Sequence, residues 1–258
     1  MKRLGIALLI LAAGAGSALA DGSPFAGSWK LNTAKSKFTG DTFAYTATPT
    51  GFHFSDGGPL AYDFAINGKD YPVVADRTMA WTKAGADSWD TVTKAKGKVL
   101  SRGHRTLSAD GKTLTESFVE YRADGTTANE TDVYARVSGR PGLAGEWKDV
   151  KVKTTSDTMT IATPSAGRYE ITYPADKQTI AGATDGTPAK LGGPNIPPGL
   201  KIAYVASGPT TWRWTVGIDG KVFDKGVMTL SADGKTMTRK SWVPGKESEA
   251  EIDVFDRQ

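Results

Sequence analysis

The chain repeats itself, and that limits its folds more than any other feature. Residues 96–115 read KGKVLSRGHRTLSADGKTLT and residues 219–238 read DGKVFDKGVMTLSADGKTMT, identical at 13 of 20 positions. Unrelated sequences of average composition would share about one or two. The register extends outward, pairing Trp89 with Trp212, Asp132-Val133-Tyr134 with Asp253-Val254-Phe255, and Arg136 with Arg257. At the front, Gly27-Ser28-Trp29-Lys30 matches Gly145-Glu146-Trp147-Lys148. The chain is a tandem of two diverged copies of a module of roughly 115 residues.

The first 20 residues stand outside that repeat. Lys2 and Arg3 precede an apolar stretch, Leu4 to Leu11, and Ala18-Leu19-Ala20 supplies small residues at cleavage spacing. This is the pattern of a secretory signal peptide, and the stretch is short for a membrane span. The expected organisation is a signal peptide at 1–20, a first β-domain at 21–138 and a second at 139–258, exported to the periplasm or cell exterior with no integral membrane segment after cleavage. Loss of Lys2 and Arg3 leaves 30 Lys and Arg against 28 Asp and Glu, a net charge of +2. There is no basic run interleaved with aromatics, which argues against nucleic acid as a partner. The absence of Cys rules out disulfides and thiolate chemistry, so each module must be held by its own core.

Local signals favour strands. Thr, Val, Tyr, Phe and Trp cluster in short runs punctuated by Gly, Asp, Asn and Pro. Asp110-Gly111 and Asp233-Gly234 lie between such runs, where Asp-Gly tolerates the positive φ of a tight hairpin. Asp110 and Asp233 are therefore turn residues rather than paired catalytic carboxylates. Each copy is expected to be an antiparallel meander of about eight or nine strands that closes on itself or buries its edges. Along Leu114–Tyr121 one face carries Leu, Phe and two Glu and the other Thr, Ser, Val and Tyr, so the pattern does not assign inside and outside. The linker 137–142, rich in Gly and Pro, reads as a turn or hinge. The spacing from Pro188 to Trp212 exceeds that from Pro72 to Trp89, 23 residues against 16. The excess falls at Leu191–Gly199, expected to be a protruding loop.

The phrase Gly27-Ser28-Trp29-Lys30-Leu31-Asn32, continuing to Phe38, resembles the opening of a group of secreted bacterial proteins with lipocalin-like domains. Gly68-Lys69-Asp70-Tyr71-Pro72 and the repeated Ser-Ala-Asp-Gly-Lys-Thr resemble the same group. The resemblance implies an all-β fold of two tandem lipocalin-like antiparallel barrels or strongly curved sheets. In lipocalins the Trp of Gly-x-Trp closes the barrel base and an Arg of the last strand packs across it. The resemblance thus implies the structural pairs Trp29–Arg136 and Trp147–Arg257, each within one copy. The second copy lacks the Ala-Lys-Ser-Lys phrase, and the middle lipocalin motif, Thr-Asp-Tyr, has no counterpart.

Catalytic and metal constellations are sparse. His53 and His104 are the only histidines, both in the first copy, and read as surface or turn residues. They supply no metal set, no nucleophile elbow accompanies them, and no second residue supports haem at His104. No cofactor, metal or catalytic residue is expected. The expected function is an exported, non-catalytic binding protein for a small, partly apolar molecule. The alternatives are an envelope or cell-surface module that binds another protein, and an enzyme on a lipocalin-like scaffold. Phe43, Tyr45, Phe52, Phe54, Tyr62 and Phe64, on alternating positions of the first copy, are the expected ligand-lining residues. Trp81, Trp89, Trp212, Trp214 and Trp242 are candidates for core or cavity.

Overall fold

The structure is a computed structural model that describes residues 23–139 and 141–258. The proposed signal peptide lies outside the described residues. Strands dominate, and the only helical segments among the described residues are short 3-10 turns at Pro174–Asp176 and Glu247–Glu249.

In the first half the strands are β1 (Gly27–Leu31), β2 (Thr42–Thr48), β3 (Gly51–Ser55), β4 (Ala61–Phe64) and β5 (Asp70–Val74). They continue as β6 (Arg77–Gly85), β7 (Ser88–Ala95), β8 (Lys98–Leu107), β9 (Thr113–Tyr121) and β10 (Thr127–Ser138). The second half has β11 (Gly145–Thr154), β12 (Thr158–Ala162), β13 (Arg168–Tyr173), β14 (Gln178–Ala183), β15 (Asp185–Pro188) and β16 (Lys190–Gly192). It ends with β17 (Leu200–Gly208), β18 (Thr211–Ile218), β19 (Lys221–Leu230), β20 (Thr236–Trp242) and β21 (Glu251–Arg257).

These strands form two nearly closed, barrel-shaped antiparallel sheets. One has the order β4-β3-β2-β11-β10-β9-β8-β7-β6-β5. The other has β15-β17-β18-β19-β20-β21-β1-β12-β13-β14-β16. The repeats read from the sequence do not map one-to-one onto these sheets. Each sheet takes its Trp strand from the other repeat: β11 lies between β10 and β2, and β1 between β21 and β12.

Chain length explains the exchange. Six residues separate Ser138 from Gly145, a span suited to joining antiparallel neighbours. β11 therefore folds back as a hairpin on β10, with Ser138 opposite Glu146 and Arg136 opposite Trp147. That fills the place that β1 would take in a lone barrel. β1 instead takes the equivalent place in the other sheet, with Trp29 opposite Arg257.

The expected pairs within each copy, Trp29–Arg136 and Trp147–Arg257, are accordingly corrected. The Arg257 guanidinium lies 4.2 Å from the Trp29 ring centre, and that of Arg136 lies 4.2 Å from Trp147. Both indoles are fully buried. Trp29 donates its indole N–H to the Phe25 carbonyl at 3.0 Å, and Trp147 to that of Leu143 at 3.1 Å. Arg257 donates Nε to the Gly234 carbonyl (2.7 Å), Nη1 to Ala26 (2.5 Å) and Nη2 to Pro24 (2.6 Å). Arg136 does the same with Gly111 (2.6 Å), Ala144 (2.7 Å) and Gly142 (2.5 Å).

This plug accounts for the best-matched parts of the repeat. Gly111 and Gly234 belong to the Ser-Ala-Asp-Gly-Lys-Thr hairpins, whose Asp110 and Asp233 accept from Ser108 and Ser231 at 2.7 and 2.6 Å and from the N–H of Lys112 and Lys235 at 3.0 Å. Each hairpin thus fixes a carbonyl that receives the arginine. The Gly of Gly-x-Trp is required for two reasons. Gly27 and Gly145 have φ of 145° and 148°, and a Cβ there would meet Nη1 of Arg257 or Arg136 at 2.5 and 2.6 Å.

The ambiguous strand β9 resolves with Leu114 and Glu116 buried, so the face with two Glu points inward. Its charge is tolerated because Glu116 forms an ion pair with Arg105, itself 1 % exposed, which also bonds Thr91 at 3.0 Å and lies 4.3 Å above the Trp81 ring. The expected protruding loop instead folds against the first half, where Arg77 Nη2 donates to the Asn195 carbonyl at 3.2 Å. Arg122 and Asp157 add an ion pair between the halves at 3.0 Å.

Candidate functional site

The six aromatics expected to line a ligand site pack chiefly on one another. Phe43, Tyr45, Phe54, Tyr62 and Phe64 are buried in the core of the first barrel, and Phe52 stacks on Phe64 at 5.5 Å. Phe64 stacks on Trp81 at 4.5 Å, and Tyr45 meets Trp81 edge-on at 5.7 Å. Burial drives the Tyr45 and Tyr62 hydroxyls up, against the opposing pull of Arg105. Phe43 and Tyr45 also border an open groove of about 350 Å³ whose other walls are mostly small residues such as Thr42, Ala44, Ser55 and Gly145. The cavity inside this barrel, between Arg105, Glu116, Met79 and Leu100, measures about 90 Å³.

A larger walled cleft, about 310 Å³, opens at the junction between the two halves. Its floor belongs to the second barrel: Ile180, Ile202, Tyr204, Trp214 and Val216. Its rim comes from both halves, with Phe118, Glu120, Arg122, Asn129 and Glu130 facing Asp157, Tyr173, Gln178, Arg239 and Asp253. None of the six expected aromatics lines it.

The side chains reach this cleft through strand alternation. On β14, Gln178, Ile180 and Gly182 are buried while Thr179 and Ala181 are less so, so Gln178 and Ile180 share the inward face. On β18, Trp212 and Trp214 are both buried. Trp212 packs against Phe25 at 4.4 Å in the core, whereas Trp214 reaches the cleft. A Cβ on Gly226 would lie 2.0 Å from the Trp214 ring, so the indole lies flat over the bare backbone of β19.

Trp214 donates its N–H to Asp224 at 2.9 Å. Arg239 lies 4.9 Å from the Trp214 ring centre and donates to the Tyr173 hydroxyl at 3.1 Å. In the aligned register, Arg239 stands where the first copy has Glu116, and Met228 where it has Arg105. The first barrel thus neutralises a buried charge with an ion pair, and the second with an aromatic face and nearby Asp224 and Asp253.

One end of the cleft is acidic and poorly satisfied. Gln178 is 1 % exposed and its Oε1 has no hydrogen-bond partner. The neighbouring Asp176, 2 % exposed, leaves Oδ2 without one. Burial pushes Asp176 up to about 8, reinforced by Glu120. Burial likewise pushes Glu120 up to about 7, against Arg122 and Arg77 and reinforced by Glu130 and Asp157. The Asp157 carboxyl is also raised by burial, partly offset by Arg122.

Both histidines lie on outer faces. His53 bonds Asp63 at 2.7 Å and His104 bonds Asp90 at 2.6 Å, all four well exposed and remote from the cleft lining. Among the described residues no three His, Cys, Asp or Glu side chains group as metal ligands. Among them too, no helix is long and apolar enough to cross a membrane. In comparisons with protein-family models, curated proteins and solved structures, nothing matches this chain.

Proposed function

We propose that the protein is an exported, non-catalytic binding protein of lipocalin-like kind, and that it holds a small, partly apolar molecule in the junction cleft. The cleft carries the reading. Ligand sites are typically concave, mostly apolar and fitted with a few directed polar groups, at roughly 300–1,000 Å³. Here the floor of Ile180, Ile202, Tyr204 and Trp214 is ringed by Gln178, Arg239 and carboxylates, with a volume of about 310 Å³. The lipocalin likeness is supported by Gly-x-Trp in each half, capped by an arginine of a last strand. Export is supported by the basic-apolar-small pattern of residues 1–20.

The test is titration of the full chain with Nile red, a neutral apolar dye, followed by its own emission and by tryptophan fluorescence. Ala128 lines the cleft from β10, and Ala128→Trp fills it. Saturable binding that the substitution abolishes, with unchanged thermal unfolding, supports the reading. Dye binding equally strong in that variant overturns it.

A further inference from the structure

We propose that the cleft selects a primary ammonium ion carrying a short apolar body, with its head at the Gln178–Glu120 end and its tail along Ile180 and Ile202. This rests on the cleft being the binding site and adds the charge and polarity of its occupant.

Charge gives the sign. The cleft is lined by five carboxylates, those of Glu120, Glu130, Asp157, Asp224 and Asp253, against two guanidiniums, those of Arg122 and Arg239. Both cations are already engaged. Arg122 pairs with Asp157 at 3.0 Å, and Arg239 stacks on Trp214 and bonds Tyr173. An anion entering here meets a surplus of negative charge, whereas a cation relieves it.

The orphan acceptor gives the head group. Gln178 lines the cleft, is 1 % exposed, and its side-chain oxygen, itself buried, accepts no hydrogen bond, so a ligand head group beside it can reach it with a small turn of the amide. A buried polar atom without a partner is costly, and a ligand N–H removes that cost. A primary ammonium has three donors to divide between this oxygen and the carboxylates, whereas a quaternary ammonium has none. The carboxylates ring the cleft without grouping as metal ligands, which suits an extended organic cation. The alternation of β14 gives the tail, because Ile180 follows Gln178 on the same face and leads to Ile202, Tyr204 and Trp214.

Proton linkage follows. Glu120 is faced by Arg122 and Arg77, which favour its charge, and by Glu130, Asp157 and Asp176, which oppose it. Its carboxyl titrates at about 7 in the free protein, and a neighbouring ammonium stabilises the ionised form. If Glu120 alone sets the dependence, its ionised fraction rises from about a tenth at pH 6 to about nine tenths at pH 8, so binding tightens about tenfold. Asp176, which titrates at about 8, acts in the same direction.

The experiment is calorimetric titration of the full chain at constant ionic strength with n-hexylammonium, 1-hexanol and hexanoate. The expected result is saturable binding of hexylammonium, at least tenfold tighter than either matched probe, with affinity rising from pH 6 to pH 8. Glu120→Gln should flatten that rise, and Gln178→Leu should weaken binding about tenfold while leaving thermal unfolding in place. Hexanol or hexanoate binding as tightly, in a manner lost in Ala128→Trp, overturns the ammonium assignment and leaves the cleft as a site for other small molecules. Binding of none of the three also overturns it, and the Nile red titration then judges the cleft separately. Unchanged affinity in Gln178→Leu overturns the placement of the head.

Discussion

The strand exchange can be tested by asking which arginine each tryptophan senses. In the exchanged topology Trp29 and Arg257 are partners, although 228 positions apart, and Trp29 and Arg136 are not. Arg257→Met removes three bonds to the carbonyls of Gly234, Ala26 and Pro24. At a net 0.5–1.5 kcal/mol each, that is a loss of about 2–4 kcal/mol. Trp29→Ala, at a fully buried site, should cost about 3–5 kcal/mol. The stack itself, with the guanidinium 4.2 Å from the ring centre, is worth about 1–2 kcal/mol when desolvated. The double variant Trp29→Ala/Arg257→Met should therefore lose about 1–2 kcal/mol less than the sum of the two single variants. Trp29→Ala combined with Arg136→Met should be additive to within about 0.5 kcal/mol. Urea unfolding of the full chain, followed by circular dichroism, measures all five variants. Coupling of Trp29 to Arg136, with additivity between Trp29 and Arg257, would refute the exchange and restore two self-contained barrels.

Glu116→Gln should cost about 3–5 kcal/mol, because it strands the Arg105 guanidinium inside the first barrel, while Glu116→Met with Arg105→Met recovers most of the loss. An unfolding free energy from urea titration lowered by less than about 1 kcal/mol in Glu116→Gln would show that water reaches the pair. Stability should also fall as pH rises from about 4 to about 8. Glu120, Asp132 and Asp176 have folded values raised by burial, to about 7, 7 and 8. The folded state therefore holds protons in that window that the unfolded chain has released. Urea midpoints at pH 5 and pH 8 measure the slope, and Glu120→Gln with Asp176→Asn should reduce it. An unaltered slope in that variant would dismiss the junction carboxylates as its source.

Much of the architecture was legible in the residues because hairpin chemistry is local. The Asp-Gly turns, the alternation of strands such as Ala61–Phe64 and the internal repeat all lead to two antiparallel barrel-shaped sheets. The partner of each Trp strand was not legible, because two strands that both open Gly-x-Trp-Lys compete for two similar places. Alternation cannot distinguish those places, and the decision rests on the six residues between Ser138 and Gly145. The cleft was hidden for a related reason. Its lining combines residues as distant as Leu31, Glu120 and Asp253, and Gln178 carries no motif. One signal was available: where the copies differ at aligned inward positions, Thr91 against Trp214 and Glu116 against Arg239, the second barrel departs from the first and the cleft opens.

The exchange also imposes an order in time. Among the described strands β1 is the first to be synthesised and its neighbour β21 the last. Until β11 emerges, the nascent chain carries Gly-Ser-Trp-Lys together with a β10 edge that would accept it in the register later taken by Gly-Glu-Trp-Lys. The duplication thus gives β11 a kinetic competitor for the β10 edge, since β1 carries the same Gly-x-Trp-Lys pattern. β11 has the advantage of tethering, because a loop of six residues closes far faster than one of more than a hundred. Sealing the second barrel still depends on the β1–β21 pairing, among the most distant in sequence of the described residues, and such contacts are slow to form. A chain with β21 not yet docked would expose the edges of both β1 and β20, and that is the state in which it most needs a chaperone.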